Sequence, residues 1–259
     1  MRKRCFYFWR LMWTLLAFTA LGIGGVALAL TVIPAATLFI RNEKARNRRA
    51  QSIIRDSFRL YLWVLQSMGI LKLEVIGREK LQACRGELVV ANHPTLIDIV
   101  ILMALLPDAK CVGKPELWLN PMLRPVVRAA GYIRNDDEPE LFIEKCRKVL
   151  CAGYNLIIFP EGTRSVPGQP LRFHRGFAHV ALASGAALRP VVIICEPLTL
   201  TKGEPCYRIP DSPPHFRVEA GELIDPVSYP RSERSSRALQ ARKLVSQIES
   251  DYGRRLSHG

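Results

Sequence analysis

Hydrophobic and polar positions alternate along this chain in three successive ways. Residues 11–40, LMWTLLAFTALGIGGVALALTVIPAATLFI, run without one charged side chain, and Trp9 and Trp13 stand near one edge. About 20 apolar residues suffice to cross a ~30 Å hydrocarbon layer, so this stretch predicts a membrane segment. As one straight helix it would run to roughly 45 Å at 1.5 Å per residue. The excess allows tilt, extension into the interface, or reversal at Gly22, Gly24 and Gly25, so a single span and a re-entrant hairpin both fit. A cleaved secretory signal fits less well, because the uncharged run continues well past the small-residue step at Ala27 and Ala29.

From residue 41 to 69 the pattern becomes amphipathic. Ile53, Ile54, Phe58, Tyr61, Leu62 and Leu65 recur at three- and four-residue spacing among basic residues, as one face of a helix or helix pair requires. That face either lies on lipid or caps a domain. Beyond residue 70, short apolar runs predict strands over 73–76, 87–91, 110–113, 131–134, 155–159 and 189–195. Helices are predicted over 96–106, 122–129, 138–152 and 176–184, followed by an edge strand within 214–224 and a charged helix over 232–253. Such alternation predicts an α/β layered domain, a central mostly β core flanked by helices. The chain thus divides into a basic tail and membrane segment (1–40), an amphipathic linker helix (41–69) and one folded domain (70–259).

Charge sharpens this division. The 259 residues carry 37 Lys and Arg against 23 Asp and Glu, a net charge of +14. Within residues 1–59 there are 11 basic and only 2 acidic side chains. Basicity concentrated beside an apolar segment argues for a phospholipid membrane surface as partner and against nucleic acid, which needs a basic patch on the folded domain. The seven basic residues within 41–59 place the following domain on the cytoplasmic face of the inner membrane. Seven cysteines form no CxxC pair, as expected of free thiols in a reducing compartment. The five histidines have no metal-ligand spacing, so no metal and no cofactor are expected.

Three strand ends carry residues suited to chemistry. Asn92-His93-Pro94-Thr95-Leu96-Ile97-Asp98 follows the run ELVVA. Asp98 can turn back along the first helical turn to hold one imidazole nitrogen of His93, which leaves the other free to take a proton. Equally, Asp98 can bond backbone amides at the helix start. Phe159-Pro160-Glu161-Gly162-Thr163-Arg164-Ser165 follows NLIIF; Arg164 offers a planar fork for phosphate and Gly162 a close backbone approach. Arg134, in GYIR, follows a third strand.

Together these motifs resemble the glycerolipid acyltransferase family, which includes 1-acylglycerol-3-phosphate acyltransferases. NHPTLID matches the family's first motif and FPEGTRS its third, while LRPVVI around Pro190 matches its fourth. The arginine of GYIR stands closer to its glycine than in the family's usual second motif. Lys114, Glu116, Leu117 and Pro121 resemble the segment after the first helix, and FHRG the basic step before another; the likeness covers roughly residues 70–225.

The resemblance implies that His93 is the general base, deprotonating a lysophospholipid hydroxyl, and that Asp98 orients it. The hydroxyl would attack the thioester of acyl-CoA or acyl carrier protein, with no acyl-enzyme. Glu161, with Gly162 and Thr163, would position the glycerol-like part, while Arg164 and Arg134 hold the phosphate. Amides near the helix after His93 would stabilise the oxyanion. The implied product is phosphatidic acid from 1-acyl-sn-glycerol 3-phosphate. The same machinery could serve another lysolipid, such as lyso-ornithine lipid, and a non-catalytic membrane lipid-binding or scaffolding protein is the alternative outside enzymes.

Overall fold

The computed structural model describes residues 2–135, 138–166, 168–226 and 237–257. Helix α1 (Arg2–Ala27) continues through a π-helical stretch (Leu28–Val32) into α2 (Ile33–Thr37). Pro34 has no N–H to offer Leu30, and its ring crowds that carbonyl, so the helix widens there rather than ending. The chain passes Gly22, Gly24 and Gly25 without turning, so of the two arrangements left open the continuous helix is the one seen there. It reverses instead after Thr37 and enters α3 (Glu43–Ser67), whose first turn is capped by Asn42 accepting from the Ala45 amide at 3.0 Å.

The remaining elements are β1 (Lys72–Ile76), α4 (Arg78–Ala83), β2 (Leu88–Ala91), α5 (Asp98–Leu105), β3 (Ala109–Gly113), α6 (Glu116–Leu119), α7 (Leu123–Ala129), β4 (Ile133–Arg134) and α8 (Pro139–Cys151). After them come β5 (Asn155–Ile158), α9 (Gly176–Ser184), β6 (Leu188–Glu196), β7 (His215–Ala220) and α10 (Arg237–Ser257). The seven strands form one sheet in the order β1-β7-β6-β2-β5-β3-β4. Neighbours run parallel except β6 and β7, which pair antiparallel. The predicted strand over 131–134 shortens to two residues, because Gly131 takes a positive φ and completes the turn after α7. Part of the predicted helix over 232–253 lies outside the described residues; α10 occupies the rest.

Helices cover both faces of the sheet. One face buries Val89, Ala91, Cys111, Ile157 and Val191 beneath α5 and α3. Helix α5, DIVILMAL, is buried nearly all round because it lies between the sheet and α3. Ile54, Leu62 and Leu65 of α3 face this core, so the amphipathic face caps the domain. Each such burial contributes about 1.5–3 kcal/mol. The other face buries Leu88, Val90, Leu156, Ile158 and Val192 beneath α8, α9 and α10.

Helix α1 lies along the domain. Arg10 and Thr14 are buried, and Trp13, Ala17, Phe18, Leu21 and Leu28 pack against the first core face, as does the buried Ile33. The opposite side exposes Phe8, Trp9, Met12, Leu15, Leu16, Ile23 and Leu30. So long a row of exposed apolar side chains marks a surface made for lipid or for a partner.

Candidate active site

The central strand β2 ends at Ala91, and its last buried polar residue turns the chain out of the sheet. Asn92 Nδ2 donates to the Ile193 carbonyl at 2.8 Å, and the Ile193 amide donates to Asn92 Oδ1 at 2.7 Å. The side chain thus takes over one rung of the β2–β6 ladder. That releases the backbone at His93 to leave the sheet plane with no buried amide orphaned.

Asp98, fully buried at the start of α5, holds the imidazole: His93 Nδ1 lies 2.9 Å from Asp98 Oδ2. The same carboxylate accepts the Thr95 amide at 2.7 Å and the Thr95 hydroxyl at 2.5 Å. Both sequence readings of Asp98 therefore hold at once, since it orients the ring and braces the turn. An ionised carboxylate has no proton to donate, so Nδ1 carries the hydrogen and Nε2 keeps its lone pair. Burial pushes the Asp98 carboxyl above its ordinary range, and the hydrogen bonds from His93 and Thr95 oppose that push. Phe159 stacks on the imidazole, with ring centroids 4.1 Å apart and planes 19° from parallel.

The adjacent strand β5 delivers residues 159–165. Glu161 Oε1 accepts the His93 amide at 2.9 Å and the Ser165 hydroxyl at 3.0 Å, while the Ser165 amide donates to the His93 carbonyl at 2.7 Å. Burial raises the Glu161 carboxyl, partly countered by these hydrogen bonds. One of its oxygens is thus engaged in holding the histidine's own backbone. Gly162 sits at φ +66°, and a Cβ there would come within 3.3 Å of His174. Arg164 Nη1 donates to the carbonyls of Leu200 and Thr201 at 2.9 and 2.8 Å, so part of this guanidinium is occupied by the connection between β6 and β7.

Of the amides expected to meet an oxyanion, those of His93, Thr95 and Leu96 are committed to Glu161, Asp98 and the Leu200 carbonyl, and Pro94 has none. A cavity of about 430 Å³ opens beside His93 at the carboxyl ends of the parallel strands, where open α/β sheets bind ligands. Thr163, Arg164, Lys114, Asn135 and Lys202 line it, together with Leu117, Tyr132 and Phe159. Gly113 forms part of its wall; a Cβ there would approach Leu117 to 3.0 Å and Tyr132 to 3.1 Å.

Arg134 does not line this cavity. It is exposed, with its guanidinium carbon 5.7 Å from the centroid of the Trp118 ring. Lys202, which sequence reasoning passed over, does line it, carried there by the irregular connection over residues 197–214.

An acyltransferase family model matches residues 72–194, the segment that contains the His93–Asp98 pair and the Glu161–Arg164 loop. Over that segment, just under half of its length, the chain matches the acyltransferase family. It is 36% identical over 110 residues to a 1-acyl-sn-glycerol-3-phosphate acyltransferase of Cocos nucifera, covering 40% of this chain and 36% of that one. A protein of the same activity name from Chlamydomonas reinhardtii is 30% identical over 173 residues, 64% of this chain and 50% of the relative. The chain thus spans half or less of the length of these two relatives. The crystal structure of the 1-acyl-sn-glycerophosphate acyltransferase PlsC from Thermotoga maritima superposes with a TM-score of 0.69 at 20% identity, covering 97% of this chain and 98% of that one. The two share the fold along nearly the whole of both chains, α1 and α3 included.

Proposed function

We propose that the chain transfers a fatty acyl group from an acyl thioester, acyl-CoA or acyl carrier protein, to the free hydroxyl of 1-acyl-sn-glycerol 3-phosphate, forming phosphatidic acid. The observation that carries this reading is the His93–Asp98 pair at the mouth of a cavity that also receives Arg164, Lys114 and Lys202. His93 Nε2 takes the proton of the acceptor hydroxyl as its oxygen attacks the thioester carbonyl. When the tetrahedral intermediate collapses, the carbon–sulfur bond breaks and the imidazolium returns that proton to the leaving thiolate. Asp98 holds the required tautomer and stabilises the transient imidazolium. Arg164, with Lys114 and Lys202, meets the acceptor's phosphate. Glu161 and Ser165 act one step back, by fixing the His93 peptide.

The bilayer reading follows from α1. Cys5–Thr37 is one helix long and apolar enough to cross a bilayer, and one of its sides packs along the domain, which favours a helix lying in the membrane surface. We place its outer face in the membrane surface, with the cavity opening toward the cytoplasmic leaflet. Purified full-length protein assayed with acyl-CoA and acyl carrier protein donors, against 1-acylglycerol 3-phosphate, lyso-ornithine lipid and monoacylglycerol, tests the function. Preference for the phosphate-bearing acceptor supports it. No transfer between any pair by folded protein refutes it.

A further inference from the structure

Arg10 is an expensive residue to bury. It lies on the apolar helix α1, is only 1% exposed, and its Nε has no partner. Its Nη1 donates to the carbonyls of Pro210 and Asp211, and Nη2 to that of Ser212, each at 3.0 Å, while the Asp211 carboxylate acts on it only through space, without a direct ion pair. An apolar side chain would dock the helix with less desolvation, so what this arginine gains is a grip on one particular piece of backbone.

That backbone is the connection between β6 and β7, and its other end is gripped by a second arginine. Arg164 Nη1 donates to the carbonyls of Leu200 and Thr201. Leu200 stands at φ +55°, a left-handed conformation that a branched side chain rarely adopts. Strained in this way, it turns its carbonyl to both Arg164 and the Leu96 amide, three residues after His93. Its side chain packs inward, where only about 40 Å³ of open space remains between Arg10, Thr14, Phe18, Ile97, Ile209 and Leu200. The connection also carries Lys202 into the acceptor cavity. A close-packed path thus joins α1 to the phosphate end of the site, fixed by one arginine at each end.

We propose that Arg10 is a positioning residue for acceptor binding: with α1 seated in lipid, its hold on residues 210–212 sets the strap that places Arg164 and Lys202 for the acceptor's phosphate. The inference rests on the acyltransferase reading of the cavity. It links membrane seating to acceptor affinity rather than to proton transfer, since the His93 ring and peptide are held by Asp98, Glu161 and Ser165, none of which residues 210–212 hold.

The test uses the full chain in phospholipid vesicles, with Arg10→Met and Arg10→Lys. Amide hydrogen exchange without substrate should be on the order of tenfold faster across residues 199–204 in Arg10→Met, with β2 and β5 unchanged. KM for 1-acylglycerol 3-phosphate should rise several-fold at nearly constant kcat, while a phosphate-free monoacylglycerol acceptor is unaffected. Arg10→Lys, which keeps the charge but has no planar fork, should fall between. Adding Arg10→Met to Arg164→Ala should raise KM little further, because both act through one strap. Should Arg10→Met fail to fold, Arg10→Lys carries the same measurements. Unchanged exchange at 199–204 in a folded variant, equal losses on both acceptors, or additive effects with Arg164→Ala would overturn the proposal. If the unaltered protein transfers no acyl group, the proposed function falls, while the exchange measurement still decides whether the strap exists.

Discussion

Glu161 accepts the backbone N–H of His93 at 2.9 Å, so the one acidic residue of the FPEGTRS motif grips the peptide of the histidine in the other. Ser165 completes the clasp by donating its amide to the His93 carbonyl. The histidine is therefore fixed at three points: by its ring through Asp98, and at each side of its peptide by the neighbouring loop.

The clasp predicts a pH signature. Burial raises the Glu161 carboxyl, so the folded state holds its proton more tightly than the unfolded chain does, and ionising it costs stability. That stabilisation is present in full below the ordinary Glu range and is lost as pH rises through the raised value. Glu161→Gln keeps an Oε1 acceptor for His93 and Ser165 and has no charge to bury. Its melting temperature relative to the unaltered protein should therefore climb from acid to neutral pH. Thermal melting across that range checks it; a gap that shrinks with rising pH would contradict the assignment.

Removing the base should separate chemistry from binding. His93→Ala is expected to lower kcat by at least ~10²-fold while lysolipid binding persists. Asp98→Asn should also reduce kcat strongly, because an amide can donate to Nδ1 and stabilise the wrong tautomer. Single-turnover kinetics with a separate lysolipid-binding measurement checks both. More than about a tenth of normal kcat in His93→Ala would remove it as the base.

Phosphate recognition should divide unequally among the cations. Lys202→Ala should raise KM for 1-acylglycerol 3-phosphate roughly 2- to 5-fold, the scale of one exposed charge contact, and leave monoacylglycerol unchanged. Arg164→Ala should cost more, about 10- to 100-fold, because a charge-assisted bond and the brace on residues 200–201 are lost together. Arg134→Ala should leave KM within twofold. Steady-state kinetics on both acceptors checks the order.

Asn92 predicts a stability loss confined to the sheet. Asn92→Ala strips partners from the buried N–H and carbonyl of Ile193, at about 1–3 kcal/mol for each group left unsatisfied. Asn92→Asp keeps an acceptor for the amide but sets a carboxylate against the carbonyl, and should be no better. Denaturant unfolding measures both.

Cysteines placed one at a time at Arg4 and Ala45, in a background without native cysteines, test the lie of α1. Impermeant reagent should label both from the same side of sealed vesicles. Labelling from opposite sides would mean that the helix crosses the bilayer and undocks from the domain.

Much of the site was legible because its parts are local. NHPTLID and FPEGTRS each follow an apolar run directly, so His93, Asp98, Glu161 and Arg164 are placed at strand ends by short-range pattern alone. Which loops meet is set by strand order, and the insertion of β5 between β2 and β3 leaves no trace in periodicity. Lys202 was invisible for that reason: its connection has no repeat, and only the two arginines that hold it bring it to the cavity. Arg134 shows the converse, a strand-end arginine whose short strand ends at the sheet margin beside Trp118. That Glu161 also accepts a backbone amide 68 residues away cannot be read from spacing. The long helix was legible by length, but its packing face was not, since apolar residues lie all round it.

Tyr252 of α10 donates its hydroxyl to the Val90 carbonyl at 2.6 Å and accepts the Val191 amide at 3.0 Å, closing the sheet immediately behind the histidine strand. On a translating ribosome, α1 emerges some 200 residues before this tyrosine. The nascent chain can therefore meet a bilayer while β2 and β6 still lack the tie that Tyr252 adds to that of Asn92. Order of synthesis thus makes the apolar helix available to a lipid surface before α10 can tie the two strands together behind His93.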